Sequence, residues 1–210
     1  MFRNRTDAGT RLAEKLKKFK KEPGIIMAVP RGGVPVAYAV AKELNLPVEL
    51  VLTKKIGHPL NKEYAIGAAS LTDYFIIPHE GVTDHYIESE LQLIRSRLKE
   101  MQKTLQADTL PENYEGKTLL IIDDGIATGN TILGTIKLLR KNRPGKIVIA
   151  APVASEPAVE MLAKEADEVI VLLIPSEFYG VGAFYEDFRQ VSDEEVMYYL
   201  NKLKELRKAG

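Results

Sequence analysis

Apolar and polar positions alternate in two different periods along this chain. Leu12, Leu16 and Phe19 share one helical face, which predicts a helix capped by Asp7, running to about Lys20 and ended by Pro23-Gly24. Ile25 to Val29 is an unbroken apolar run, the pattern of a strand buried on both faces. A turn at Pro30-Arg31-Gly32-Gly33 leads into a helix over Val34–Leu44, and Leu46-Pro47 leads into a strand over Val48–Thr53. From Lys54 to about Ser70 the periodicity breaks, and this polar stretch marked by Gly and Pro reads as a mobile loop. Ala65–Leu71 and Tyr74–Ile77 read as a hairpin around Thr72-Asp73. Thr83 or Asp84 caps a long helix to about Leu105. Its stripe of Ile87, Leu91, Ile94, Leu98, Met101 and Leu105 needs a partner surface, in the same subunit or in another.

The second half is more regular. Leu119–Ile122 is a four-residue apolar strand, and Thr128 opens a helix that runs to about Arg143. Lys146–Pro152 and Glu168–Ile174 read as strands separated by a helix over Glu156–Lys164. Ser192-Asp193-Glu194-Glu195 has the form of a capping box at the start of a last helix. Strands alternating with helices predict an α/β fold with a parallel sheet and right-handed crossovers. The 210 residues fit one domain. Its core falls at about 22–56 and 116–175, an inserted loop, hairpin and helix at about 57–115, and an aromatic segment with a helix at 176–210.

Composition removes several functions. Lys plus Arg and Asp plus Glu are equal at 29 each, so no global field attracts nucleic acid, and no nucleic-acid partner is expected. No apolar run approaches a membrane span, so no membrane partner is expected. The absence of Cys removes disulfides, thiol catalysis and zinc–thiolate sites, and three scattered His residues show no metal-ligand spacing. The first residues carry no signal-peptide apolar core, and the cytoplasm is the expected location.

The chemistry concentrates at the end of the 119–122 strand. Asp123 and Asp124 stand at its carboxyl end, where ligands bind in parallel sheets. Gly125, Ile126, Ala127, Thr128, Gly129, Asn130 and Thr131 follow as a loop of mostly small and hydroxyl residues that enters a helix. A helix start offers free N–H groups and a positive dipole end, which suit a phosphate. Carboxylates beside an amide cradle suit a phosphorylated sugar.

Asp123 to Thr131, with its preceding hydrophobic strand, resembles the phosphoribosyl pyrophosphate (PRPP) fingerprint of type I phosphoribosyltransferases. The resemblance implies a twisted, mainly parallel sheet of about five strands flanked by helices, with a hood or insertion containing the long helix. It also implies PRPP and Mg²⁺ as co-substrate and cofactor. A homodimer is expected as well. Asp123 and Asp124 would then be the catalytic residues, holding the ribose 2- and 3-hydroxyls and touching the metal indirectly. Residues 125–131 would bind the 5-phosphate. Arg31, Gly32 and Gly33 resemble the family's pyrophosphate turn, whose unusual peptide would correspond to Pro30–Arg31. Lys54 and Lys55 stand where relatives place an Arg-Lys pair for the same leaving group; each is otherwise a solvated lysine.

The stretch from Gly57 to Tyr64 corresponds to the family's flexible loop, with His58 and Glu63 as its titratable candidates, either solvated or acting as acid or base. Ala127 replaces an Asp that hypoxanthine–guanine members carry, which removes the easiest general base; adenine-type members also have Ala. Residues 178–188 hold five of the chain's fifteen Phe and Tyr residues. Phe178, Tyr179 and Phe184 there either stack on a planar acceptor or cover the core or a subunit seam. The Gly-Pro loop, the fingerprint and this tail together resemble a group of uncharacterised phosphoribosyltransferases.

The expected reaction moves 5-phosphoribosyl from PRPP to a nitrogenous, nucleobase-like acceptor in nucleotide metabolism, with release of pyrophosphate. The alternative is a PRPP-sensing regulatory protein without catalysis. A phosphoacceptor receiver is disfavoured, because the later strands end at Ala151-Pro152 and Ile174-Pro175 without its Lys. No Gly-x4-Gly-Lys-Ser/Thr loop is present.

Overall fold

The computed structural model describes residues 1–107 and 113–208, with the side chains of Glu63, Arg207 and Lys208 outside the described part. Five strands form a parallel sheet: β1 (Gly24–Ala28), β2 (Val48–Leu50), β6 (Thr118–Ile122), β7 (Lys146–Val153) and β8 (Glu168–Leu173), in the order β2-β1-β6-β7-β8. A second, antiparallel sheet holds β3 (Lys54–His58), β4 (Asn61–Ala69) and β5 (Tyr74–Ile76). The helices are α1 (Arg5–Leu16), α2 (Gly33–Leu44), α3 (Asp84–Thr104), α4 (Asn130–Arg140), α5 (Glu156–Leu162) and α6 (Asp193–Lys208).

The apolar runs become the central strands because both faces of the sheet are covered. Ile26, Ala28, Leu120, Ile122, Val148 and Ala150 meet Leu12, Leu16, Val40 and Leu203 on one side. Ile25, Met27, Leu119, Ile121, Ile147 and Ile149 meet Ile132, Ile136 and Leu162 on the other. Polar side chains start the helices by taking free amide protons. Asn4 accepts from Asp7 N, Thr83 from Tyr86 N and Ser155 from Ala158 N. The first cap is therefore Asn4, and Asp7 sits in the first turn, where a carboxylate favours the helix dipole.

The chain leaves β1 toward β2 on one side and returns to β6 on the other side of β1. The loops after β1 and β6 diverge at this reversal, where a crevice forms at the strands' carboxyl ends. Their register is direct, with Ile26 opposite Leu120 and Ala28 opposite Ile122.

The stretch 54–70, read as a loop, is two strands of the second sheet. Bulges at Ile56, Gly57 and His58 disrupt its alternation, which hides the strand period. Ile56, Ile66 and Ala69 are nevertheless buried in one cluster with Leu91, Ile94 and Leu98 of α3. The 65–71 and 74–77 hairpin is present as β4 and β5, closed by Ser70 N donating to Asp73 O. The stripe on α3 therefore finds its partner within the same chain. Smaller differences concern ends: β2 stops at Leu50, and α4 runs from Asn130 to Arg140.

Leu98 is fully buried against this second sheet. Leu98→Ala should cost about 2–5 kcal/mol, read as a lower urea midpoint in equilibrium unfolding. An unchanged midpoint would mean that α3 does not pack on the sheet in solution.

Candidate functional site

The turn after β1 lies directly on the acidic pair after β6. Val29 N donates to Ile122 O at 2.9 Å, and Gly33 N donates to Val29 O at 2.9 Å. A Cβ on Gly33 would stand 2.6 Å from Ile122 O and 3.0 Å from Asp123 Cα; one on Gly32 would overlap the Asp124 carboxylate. Only glycine allows this approach. The Pro30–Arg31 peptide is cis.

The two aspartates are not equivalent. Arg5 Nε donates to Asp124 Oδ2 at 2.6 Å, with both side chains nearly enclosed. The Arg5 guanidinium lies over the Phe188 ring at 3.9 Å and donates through Nη1 to Arg189 O at 2.8 Å. Tyr185 Oη donates to Asp124 O at 2.6 Å. Burial and the neighbouring Asp124 raise the Tyr185 hydroxyl above its ordinary range, so it remains a donor. Asp123 Oδ1 accepts from Asp124 N at 2.9 Å. Burial, and then the charge of Asp124, push the Asp123 carboxyl well above the usual carboxylate range. The residue keeps some surface, while its carboxyl is largely removed from water. The pair is thus one carboxylate matched by Arg5 and one carboxyl that resists ionisation.

The following loop is clamped at its base. Ile126 N donates to Val153 O, Ser155 N to Ile126 O, and Ser155 Oγ to Ala127 O at 2.6 Å. Gly129 then takes φ 71°, a left-handed conformation suited to glycine, and starts α4 without a side-chain cap. Among the described residues no protein acceptor meets the amides of Thr128, Gly129, Asn130 and Thr131. Thr128, Asn130 and Thr131 lie in the segment that opens α4 at the crevice edge. Four donors therefore stand free at a helix start, the arrangement that receives an anion.

Arg31 extends from the turn toward the start of α6, where its Nε donates to Asp193 Oδ1 at 2.5 Å. Lys54 and Lys55 lie on β3, opposite Ala69 and Ala68, rather than in a loop. With Arg31 and Thr131 they line a cavity of about 680 Å³. His58 is not brought to the aspartates: its Nδ1 accepts from Leu60 N, and its ring meets those of Tyr64 and His79. Glu63's side chain lies outside the described part, so its candidacy is carried by sequence alone. Phe178 and Phe184 stack on each other at 5.8 Å and pack around Phe2, Val153 and Tyr185. Tyr179 is 82% exposed and donates to Glu177. Of the two readings of this tail, core cover describes Phe178 and Phe184.

Sequence reasoning missed Arg5, Ser155, Tyr185, Phe188 and Asp193. Each lies far along the chain from the partner it meets at the site, although Ser155 and Asp193 also stand at helix starts. The available signal was the density of Arg and aromatic residues at 3–5 and 184–189, where Phe2 N donates to Phe184 O and Glu186 N to Phe2 O.

A family model described as "Phosphoribosyl transferase domain" matches residues 3–189. The chain belongs to this family of transferases. It is 33% identical over 209 residues to a Mycobacterium tuberculosis protein provisionally named a phosphoribosyl transferase, covering 96% of this chain and 47% of that protein. The chain thus spans about half the length of the curated relatives it matches. A ribose-phosphate pyrophosphokinase of Pyrococcus furiosus is 29% identical over 167 residues, 68% of this chain and 60% of the other. The crystal structure of TT1426 from Thermus thermophilus superposes with a TM-score of 0.89 at 34% identity, covering 97% of this chain and 99% of that one. The family and the parallel α/β class expected from the sequence both hold.

The state of Asp123 has a consequence for stability. A carboxyl whose folded-state affinity for a proton exceeds its unfolded-state affinity favours folding below its ordinary value of 3.8 and opposes it progressively as pH rises. Asp123→Asn keeps an oxygen for Asp124 N and removes the ionisable group. Urea unfolding over a pH series should show the variant gaining on the parent from about pH 4 upward. A constant difference across that range would contradict the assignment.

Proposed function

We propose that this protein transfers the 5-phosphoribosyl group of PRPP to a nitrogen of a nucleobase-like acceptor and releases pyrophosphate. One observation carries the reading: four unpartnered amides at the start of α4 and the Asp123–Asp124 pair share the crevice edge with the Arg31-Gly32-Gly33 turn. The amides of Thr128–Thr131 would hold the 5-phosphate. Asp123, whose Oδ1 accepts from Asp124 N, would take a ribose hydroxyl through Oδ2. Asp124 would take the other hydroxyl through Oδ1, since Arg5 holds Oδ2, and its negative charge would favour the cation-like ring of the transition state. Arg31 and the backbone of Gly32 and Gly33 would receive pyrophosphate, with Arg31 exchanging Asp193 for the ligand. Lys54 and Lys55 would add charge to the same pocket.

Magnesium fits this site as an ion held chiefly by the substrate. Among the described residues no group of three His, Asp or Glu side chains could cage a metal. Asp123 and Asp124, at the same crevice edge, would add one or two oxygens, which suits an ion that keeps water and phosphate oxygens. When bound, it supplies neutralisation of the leaving pyrophosphate. The reading places the protein in nucleotide metabolism in the cytoplasm, and no described helix is long and apolar enough to cross a membrane. A homodimer is part of the same proposal.

A PRPP sensor without chemistry is the second reading. It is favoured by Ala127, which offers no acid, and by Arg5, which already occupies Asp124. Calorimetry with PRPP and magnesium, followed by pyrophosphate release across purines, pyrimidines and amines, separates the two. The transferase reading expects binding and acceptor-dependent release; binding without release supports the sensor, and no binding defeats both. Asp124→Asn should lower PRPP affinity or turnover at least about tenfold, since charge-assisted bonds are worth roughly 1.5–3 kcal/mol. A melting curve confirms that the variant is folded.

A further inference from the structure

The cavity beside the Pro30–Arg31 turn has lining residues that the proposed reaction does not use. Arg31 and Thr131 line it. So do Leu93, Arg97 and Met101 of α3 and Lys62 of β4. The long helix of the insert and the pyrophosphate turn therefore border one cavity of about 680 Å³.

The charges in this space are unbalanced. Five cationic side chains and one carboxylate, Glu90, line it. Lys62 is already held by Glu90 at 2.6 Å and by Tyr86, and Arg31 by Asp193. The side chains of Lys54 and Arg97 have no ion pair or hydrogen bond among the described residues. Two unpaired cations sharing a cavity repel each other, and a polyanion between them relieves that repulsion.

We propose that Arg97, on the inserted helix α3, is a pyrophosphate-binding residue that grips the leaving group from the side opposite Arg31. The insert is then part of the binding site: it supplies the second jaw, and Lys54 lines the same cavity. Arg97 fits this task because its planar fork of donors spans two phosphate oxygens, which a lysine does not. This inference rests on the phosphoribosyl-transfer reading.

The test is calorimetric titration of the full chain with magnesium pyrophosphate, PRPP and ribose 5-phosphate. Arg97→Gln should weaken pyrophosphate and PRPP about tenfold and leave ribose 5-phosphate unchanged. Arg97→Lys should recover part of the loss. Lys99→Gln, which removes the same charge from an exposed position of α3 outside the cavity, should change nothing. Circular-dichroism melting establishes that each variant is folded. If Arg97→Gln binds pyrophosphate like the parent while the parent binds PRPP, the inference falls and the transfer reading stands. An equal loss in Lys99→Gln overturns it as well, because the effect would then be a diffuse field. If the parent binds neither pyrophosphate nor PRPP, both readings fall together.

Discussion

The backbone of Gly32 and Gly33 rests on the carboxyl end of β6, and the rest of the site depends on that contact. A Cβ at either position would strike Ile122, Asp123 or Asp124. Because the two glycines allow the approach, the turn after β1 and the loop after β6 meet at the point where the strand order reverses. The two segments proposed to receive anions, far apart in sequence, thereby meet in one crevice. Neither would be a site alone: a helix start is common, and so is a turn with an arginine.

The acidic pair is tuned by segments from both ends of the described chain. Arg5 comes from the start of α1, and Phe188, Tyr185 and Arg189 come from the tail. These pieces are tied to each other through Phe2, Phe184 and Glu186. Arg5 is paired with Asp124, while burial and the neighbouring Asp124 raise the proton affinity of Asp123. Two adjacent carboxyls thus sit in different environments, one held by a guanidinium and one enclosed.

Much of this was legible in the sequence, for identifiable reasons. The runs Ile25–Val29 and Leu119–Ile122 are apolar without alternation, and they became the fully buried central strands. The caps of α3 and α6 follow short polar signals. The fingerprint is local, so its loop and helix could be placed from residues 119–131 alone. Three features were hidden. The strands at 54–69 were masked by bulges at Ile56–His58, which break the period-two pattern. The partner of the α3 stripe was hidden for the same reason, since it is that sheet. The Arg5–Asp124 and Arg31–Asp193 pairs span 119 and 162 residues, and no local pattern encodes contacts at such separations.

The central claim is that free amides at the start of α4 hold the sugar phosphate. Amide NMR during a titration with ribose 5-phosphate addresses it most directly. The account predicts that the resonances of Thr128, Gly129, Asn130 and Thr131 shift together and saturate, ahead of any change in the tail. Shifts confined to the lysines of β3, with these four amides unmoved and protected from exchange in the free protein, would contradict it.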